Sequence, residues 1–146
     1  MDQISNFSDI IPAKQILYII DACYSGIAGI VNKGSQDDGE MFRMMTSAQI
    51  NLFFESTGRQ IMTAGSSKEK AIMGKKWNKH SVYTYYLLKG LQGEADYNKD
   101  SLISSNELQI YVAKNVSRDT EGKQNPQLHS LGESEGNFIF FPEGDY

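Results

Sequence analysis

The stretch Gln15-Ile16-Leu17-Tyr18-Ile19-Ile20-Asp21-Ala22-Cys23-Tyr24-Ser25-Gly26 decides how this chain is read. Its first half is a continuous apolar run, which predicts a strand over residues 15–20 buried on both faces, as in a parallel sheet. Its second half turns abruptly to an acid, the single cysteine, a serine and a glycine. Open α/β folds place their chemistry at the carboxyl ends of such strands. Cys23 therefore has two readings: a small buried hydrophobe, the usual fate of a free cysteine, or a nucleophile at a tight turn. In the second reading the backbone N–H of Cys23 supplies half of an oxyanion site.

Working outward, Arg59-Gln60-Ile61-Met62-Thr63-Ala64-Gly65 is a second strand that again ends in small residues. Asn137-Phe138-Ile139-Phe140-Phe141 is a third, stopped by Pro142. A helix is predicted over 81–91, with Val82, Tyr85, Tyr86, Leu88 and Leu91 on its apolar face. A second begins near Ser105, where Ser104-Ser105-Asn106-Glu107 has the form of a capping box. Thr46 or Ser47 caps a short helix ending at Gly58. Residues 32–40 are polar and acidic, and 32–58 is the segment expected to serve as a flexible linker. The stretch from the second helix to Gly136 is expected to be a long polar loop. Strands alternating with helices predict an α/β domain with a largely parallel sheet, spanning 1–146 as one unit.

Composition narrows the function. Hydrophobic content of 40% and charged content of 22% suit a globular domain. The net charge of −4, without a basic stripe, argues against nucleic acid. The longest apolar run, Ile16 to Ile20, is too short to span a membrane. One cysteine cannot form an internal disulfide, so a reducing compartment, the cytoplasm, is expected.

Asp21-Ala22-Cys23-Tyr24-Ser25-Gly26 after an Ile/Leu-rich strand resembles the nucleophile segment of caspase-like cysteine peptidases, in the metacaspase and bacterial branch. Asp21 stands where animal caspases carry Gln. The likeness continues, in order, through Gly58–Ser67, the helix from Ser81 to Leu88, Gly93-Glu94-Ala95-Asp96 and Asn125-Pro126-Gln127, and so covers most of the chain from Gln15 to Pro142. It implies a caspase-like fold and a cysteine endopeptidase acting on protein or peptide substrates, with Cys23 as nucleophile and no required cofactor. It also implies a histidine partner upstream, roughly 50 residues away in caspases. Residues 1–22 hold no histidine. The expectation is a C-terminal portion of the catalytic domain, its N-terminal strands and catalytic histidine supplied by the missing half or another copy of the chain. The alternative is an inactive caspase-like interaction module. His80, beside a helix start, and His129, in a polar stretch, read better as surface or capping residues.

Asp21 is two residues before Cys23, so an uninterrupted strand puts both side chains on one face. A carboxylate raises a neighbouring thiol's pKa, which makes Asp21 a poor activator. Two other roles remain: binding a cationic substrate side chain, or accepting backbone N–H groups at the turn. The resemblance favours the first, with cleavage after Arg or Lys. Glu69, Asp37 and Asp38 are candidates for added negative charge nearby. The segment Ala64-Gly65-Ser66-Ser67 could pair with an extended peptide, which makes Ser66 a substrate-binding candidate.

One further motif stands apart. Asp96, Asn98, Asp100 and Glu107 fit positions 1, 3, 5 and 12 of an EF-hand calcium loop, with Ser101 where glycine is usual. Calcium is therefore a possible ligand, and a calcium-responsive binding domain is a third reading. The bland explanation is a turn followed by a helix cap.

If the chain cuts after basic residues, the linker is its own substrate. Cleavage after Lys33 or Arg43 is the expected product in active enzyme, and intact-mass spectrometry showing the loop whole in active enzyme refutes it.

Overall fold

The computed structural model describes residues 4, 7–8, 10–23, 31–32, 46–66, 69–132 and 136–142. At Cys23 the description covers the backbone. Strand β1 (Gln15–Cys23) runs parallel to β3 (Gly58–Gly65), with Gln15 opposite Gly58 and Ile20 opposite Thr63. The register then slips, so that Cys23 lies opposite Gly65. Asp21 and Ala22 together oppose one residue of β3, a bulge that interrupts the two-residue alternation. The expected sharing of one face by Asp21 and Cys23 therefore loses its basis.

The sheet order is β1-β3-β5-β2, where β5 is Gln127–Leu131 and β2 is Val31–Asn32. Both β3–β5 and β5–β2 are antiparallel. Among the described residues only the β1–β3 pairing is parallel, so the architecture is α/β with a mixed sheet, and the expected largely parallel sheet is corrected. The strand responsible is β5, which falls inside the stretch expected to be loop. Gln127, His129 and Ser130 made it read as polar, but pairing to β3 satisfies its backbone, and Leu128 and Leu131 reach the two apolar clusters. The expected third strand shrinks to β6 (Ile139–Phe140), which pairs with β4 (Ile103–Ser104) in a separate two-stranded sheet.

Helices complete the fold. Helix α1 (Ser47–Glu55) opens with Thr46 and Gln49 in a capping box. The linker expected over 32–58 thus includes a helix at its far end and Asn32 of β2 at its near end, while Lys33, Asp37, Asp38 and Arg43 lie outside the described residues. Helix α2 (Val82–Lys89) is capped by Ser81, and α3 (Ser105–Asp119) by Ser104 with Glu107 reaching back. The buried side chains of α2 are Val82, Tyr83, Tyr86 and Leu87, while Leu88 is exposed. Its apolar face is turned from the expected one because α2 packs against both the sheet and α3. Gly90, at the end of α2, permits that contact. A Cβ there would meet Leu108 Cδ1 at 2.7 Å and Tyr111 Cδ1 at 3.1 Å. No helix among the described residues is long and apolar enough to cross a membrane.

Strand β3 is the centre of the core. Met62 and Ala64 join Val82, Tyr83, Leu108 and Val112 under the helices, while Ile61 packs on the other face with Leu131, Tyr18 and Ile20. Gln60, 3% exposed, accepts hydrogen bonds from Ser105 Oγ (2.7 Å) and the Phe138 N–H (3.0 Å) and donates to Asn137 Oδ1 (3.0 Å). The small β4–β6 sheet and the start of α3 are thereby attached to the main sheet.

The other end of α3 is fixed by Asp119. A carboxylate at a helix C-terminus opposes the helix dipole. Here it accepts hydrogen bonds from Tyr86 Oη (2.7 Å), Lys76 Nζ (3.0 Å), Arg118 Nε (3.1 Å) and Trp77 Nε1 (3.4 Å). Desolvation pushes its pKa up, but these donors outweigh it and hold the carboxyl well below the usual range. Asp119→Asn is expected to cost about 2 kcal/mol at neutral pH. Because the folded pKa is depressed, this contribution is present in full above about pH 4 and is lost as the pH falls further. Denaturant titrations at several pH values should show the gap between wild type and variant closing in acid.

Candidate active site

Cys23 ends β1 and Gly65 ends its parallel partner, so both chain exits lie at the carboxyl end of the sheet. This is the position expected for reactive groups in an α/β fold. Tyr24, Ser25 and Gly26 lie outside the described residues.

Asp21 is exposed, and helix α2 fixes its carboxylate. Oδ2 accepts hydrogen bonds from Ser81 Oγ (2.5 Å) and Thr84 Oγ1 (2.7 Å). Ser81 Oγ in turn accepts from the Thr84 N–H (2.9 Å), the N-cap bond of α2. Asp21 thus docks on a helix N-terminus, which favours negative charge. The hydroxyls replace the backbone N–H donors considered for it. Among the described residues these hydrogen bonds all go to Oδ2. Burial and the nearby Asp21 charge push the Tyr83 hydroxyl pKa well up, and among the described residues that fully buried hydroxyl has no hydrogen-bond partner. Ser81 was legible as a cap. Thr84 and Tyr83 gave no signal, because their relation to Asp21 depends on how α2 packs against β1.

On the β3 side, Ser66 is exposed, and its backbone is engaged by Glu69. The Ser66 N–H donates to Glu69 Oε2 (3.1 Å), and its carbonyl accepts from the Glu69 N–H (3.1 Å). Strand addition at Ser66 would have to break these bonds. Ser67 lies outside the described residues. The carboxylate of Glu69 also accepts from the Asn125 N–H (2.7 Å) and Asn125 Nδ2 (2.9 Å). Desolvation raises its pKa, but the Asn125 and Ser66 donors lower it further than burial raises it. Glu69 therefore closes the β3 exit onto the turn before β5. Gly65 makes room for it, since a Cβ there would stand 2.7 Å from Glu69 Oε2.

The two histidines differ in position. His129 lies opposite Ile61 on β3. Gly65 is four residues further along, about 13 Å at strand rise. Its pKa is lowered by burial. His80 is exposed and directly precedes Ser81, so the fold brings it to the same end of the sheet as Asp21. That placement depends on the packing of α2 and had no counterpart in the local sequence.

Asp96, Asn98 and Asp100 form a turn. Asp96 Oδ1 accepts from the Asp100 N–H (3.2 Å) and Oδ2 from the Ser101 N–H (3.0 Å). Asn98 Oδ1 also accepts from the Asp100 N–H (2.9 Å). Glu107 Oε2 accepts from the Ser104 N–H and Oγ, both at 2.9 Å. Among the described residues no group of three His, Cys, Asp or Glu side chains is assembled to hold a metal ion.

Comparison with known proteins supplies no relative: no protein-family model matches the chain, and neither a curated protein nor a solved structure matches it.

Proposed function

We propose that this chain carries the nucleophile portion of a caspase-like cysteine endopeptidase that cleaves after Arg or Lys. The observation that supports the reading most directly is the placement of Cys23 at the carboxyl end of β1, beside the end of parallel β3. Asp21, two residues earlier, is anchored by Ser81 and Thr84. In this mechanism the Cys23 thiolate attacks the scissile carbonyl and a histidine protonates the leaving amine. Asp21 binds the cationic side chain of the residue whose carbonyl is attacked. Two hydroxyls hold its carboxylate in one orientation, so little is lost in ordering it when a guanidinium or ammonium arrives. The histidine comes from outside this chain. His129 is too far along the sheet for that proton transfer, which needs hydrogen-bond reach, while His80 lies at the Asp21 end and is the histidine of this chain that the His80→Ala variant addresses.

A second reading, an inactive caspase-like interaction module, is favoured by the same position of His129. The two diverge on whether Cys23 is a reactive thiol with a basic specificity pocket.

Alkylation by peptidyl electrophiles tests this without requiring a complete dyad. An electrophile with Arg or Lys at the recognised position is expected to label Cys23 faster than its Asp counterpart, as read by peptide mass spectrometry. Cys23→Ala abolishes the label. Asp21→Asn is expected to remove about ten-fold or more of the preference for Arg, and His80→Ala to leave the labelling rate unchanged. Labelling no faster than that of a free thiol, without a basic preference, sinks the peptidase reading. A loss in His80→Ala instead assigns the proton partner to this chain.

A further inference from the structure

Lysines crowd into the segment that leads from β3 to α2. Lys70, Lys75, Lys76 and Lys79 stand between Ala71's neighbour and His80, with no Asp or Glu among them, in a chain whose net charge is −4. Lys76 is engaged by Asp119. Lys70, Lys75 and Lys79 are exposed, and among the described residues no ion pair neutralises them. Like charges gathered on one loop repel, and packing gives no reason to gather them.

The loop is held in place. The Ile72 N–H donates to Gln124 Oε1 (3.0 Å), and the Ile72 carbonyl accepts from the Val82 N–H (2.9 Å). Met73 pairs with Ser81 in an antiparallel bridge. The buried Trp77 anchors the middle through Asp119. Asn78 and Lys79 then turn the chain with φ 51° and 68°. Such left-handed backbone is uncommon away from glycine and persists where the surroundings impose it. The loop thereby closes on Ser81, whose Oγ donates to Asp21 Oδ2. Lys79 is two residues from Ser81, so their Cα atoms are at most about 7 Å apart. The fold sets ammonium groups beside an exposed carboxylate.

We propose that this loop binds acidic side chains of a peptide whose Arg or Lys is held by Asp21, so that the substrate is a basic residue flanked by Asp or Glu. The basic residue rests on the peptidase reading, whereas the acidic preference belongs to Lys75 and Lys79. A peptide of mixed charge complements this surface better than nucleic acid does, because Asp21 and the net charge of −4 oppose a phosphate backbone. The loop is already ordered, so little entropy is lost in docking on it. Exposed ion pairs are individually weak, and two of them are expected to add about five-fold in affinity at low salt, shrinking as ionic strength rises.

The test is fluorescence anisotropy of labelled peptides on the full chain carrying Cys23→Ala, which removes turnover. The first peptide has Arg flanked by Glu on both sides. The second replaces each Glu by Gln, and the third keeps Glu and replaces Arg by Gln. The first is expected to bind about five-fold tighter than the second. Adding Lys75→Gln and Lys79→Gln should erase that gap with Tm unchanged, since both side chains are exposed, while Lys75→Arg with Lys79→Arg keeps it. Asp21→Asn should weaken the first and second peptides alike and leave the gap. Equal binding of the first and third peptides supports the acidic preference and refutes the basic pocket, which separates the two failures. The proposal is overturned by no measurable binding of the first peptide, by its binding no tighter than the second, or by a gap that survives the Gln substitutions. It is equally overturned by a single-stranded oligonucleotide displacing the first peptide as readily as the unlabelled peptide does.

Discussion

Strand β3 has to satisfy partners in every direction. It pairs on both edges, with β1 and β5, and contributes side chains to both apolar clusters. A strand so enclosed leaves no room for an unsatisfied polar group. Gln60 is tolerated because three hydrogen bonds use its amide, and those bonds bring in α3 and the segment before β6. At the far end Gly65 gives up its side chain so that the Glu69 carboxylate can sit against the backbone and seize Asn125. The placement of Cys23 follows from the pairing with β3, and that of Asp21 from a helix packed over β3.

The same dependence explains what could be read in the sequence. Apolar runs marked β1 and β3, and the cap signatures at Thr46, Ser81 and Ser104 marked helix starts, because these signals are local. Strand β5 was illegible because its residues are mostly polar and its membership in the sheet comes from β3, far away in the chain. The bulge at Asp21–Ala22 was illegible for a similar reason. It is a mismatch of lengths between two paired strands, and neither strand records it alone.

For the site, residue identities were visible and relations were not. Asp21 and Cys23 stand out by type and position. That the Asp21 carboxylate rests on two hydroxyls of α2 could be seen only once the helix was in place. Ser66 and Glu69 show the reverse case. The sequence allowed each a part in substrate recognition, yet their hydrogen bonds to each other and to Asn125 make them a clasp between β3 and the turn before β5.

The central position of β3 also bears on how the chain reaches this structure. Its partners are distant in sequence: Gln15 pairs with Gly58, and Gln60 with Ser130. Both pairings close long loops before they are rewarded by contacts, so chain entropy opposes the early assembly of this sheet. Helices α2 and α3 have local cap signals and can form first, leaving β1 as an apolar segment waiting for β3. The interval before that pairing is when the Ile16–Ile20 run is most open to association with other chains. The arrangement that presents Cys23 at the sheet's end thus makes for a slow, aggregation-exposed approach to the native state.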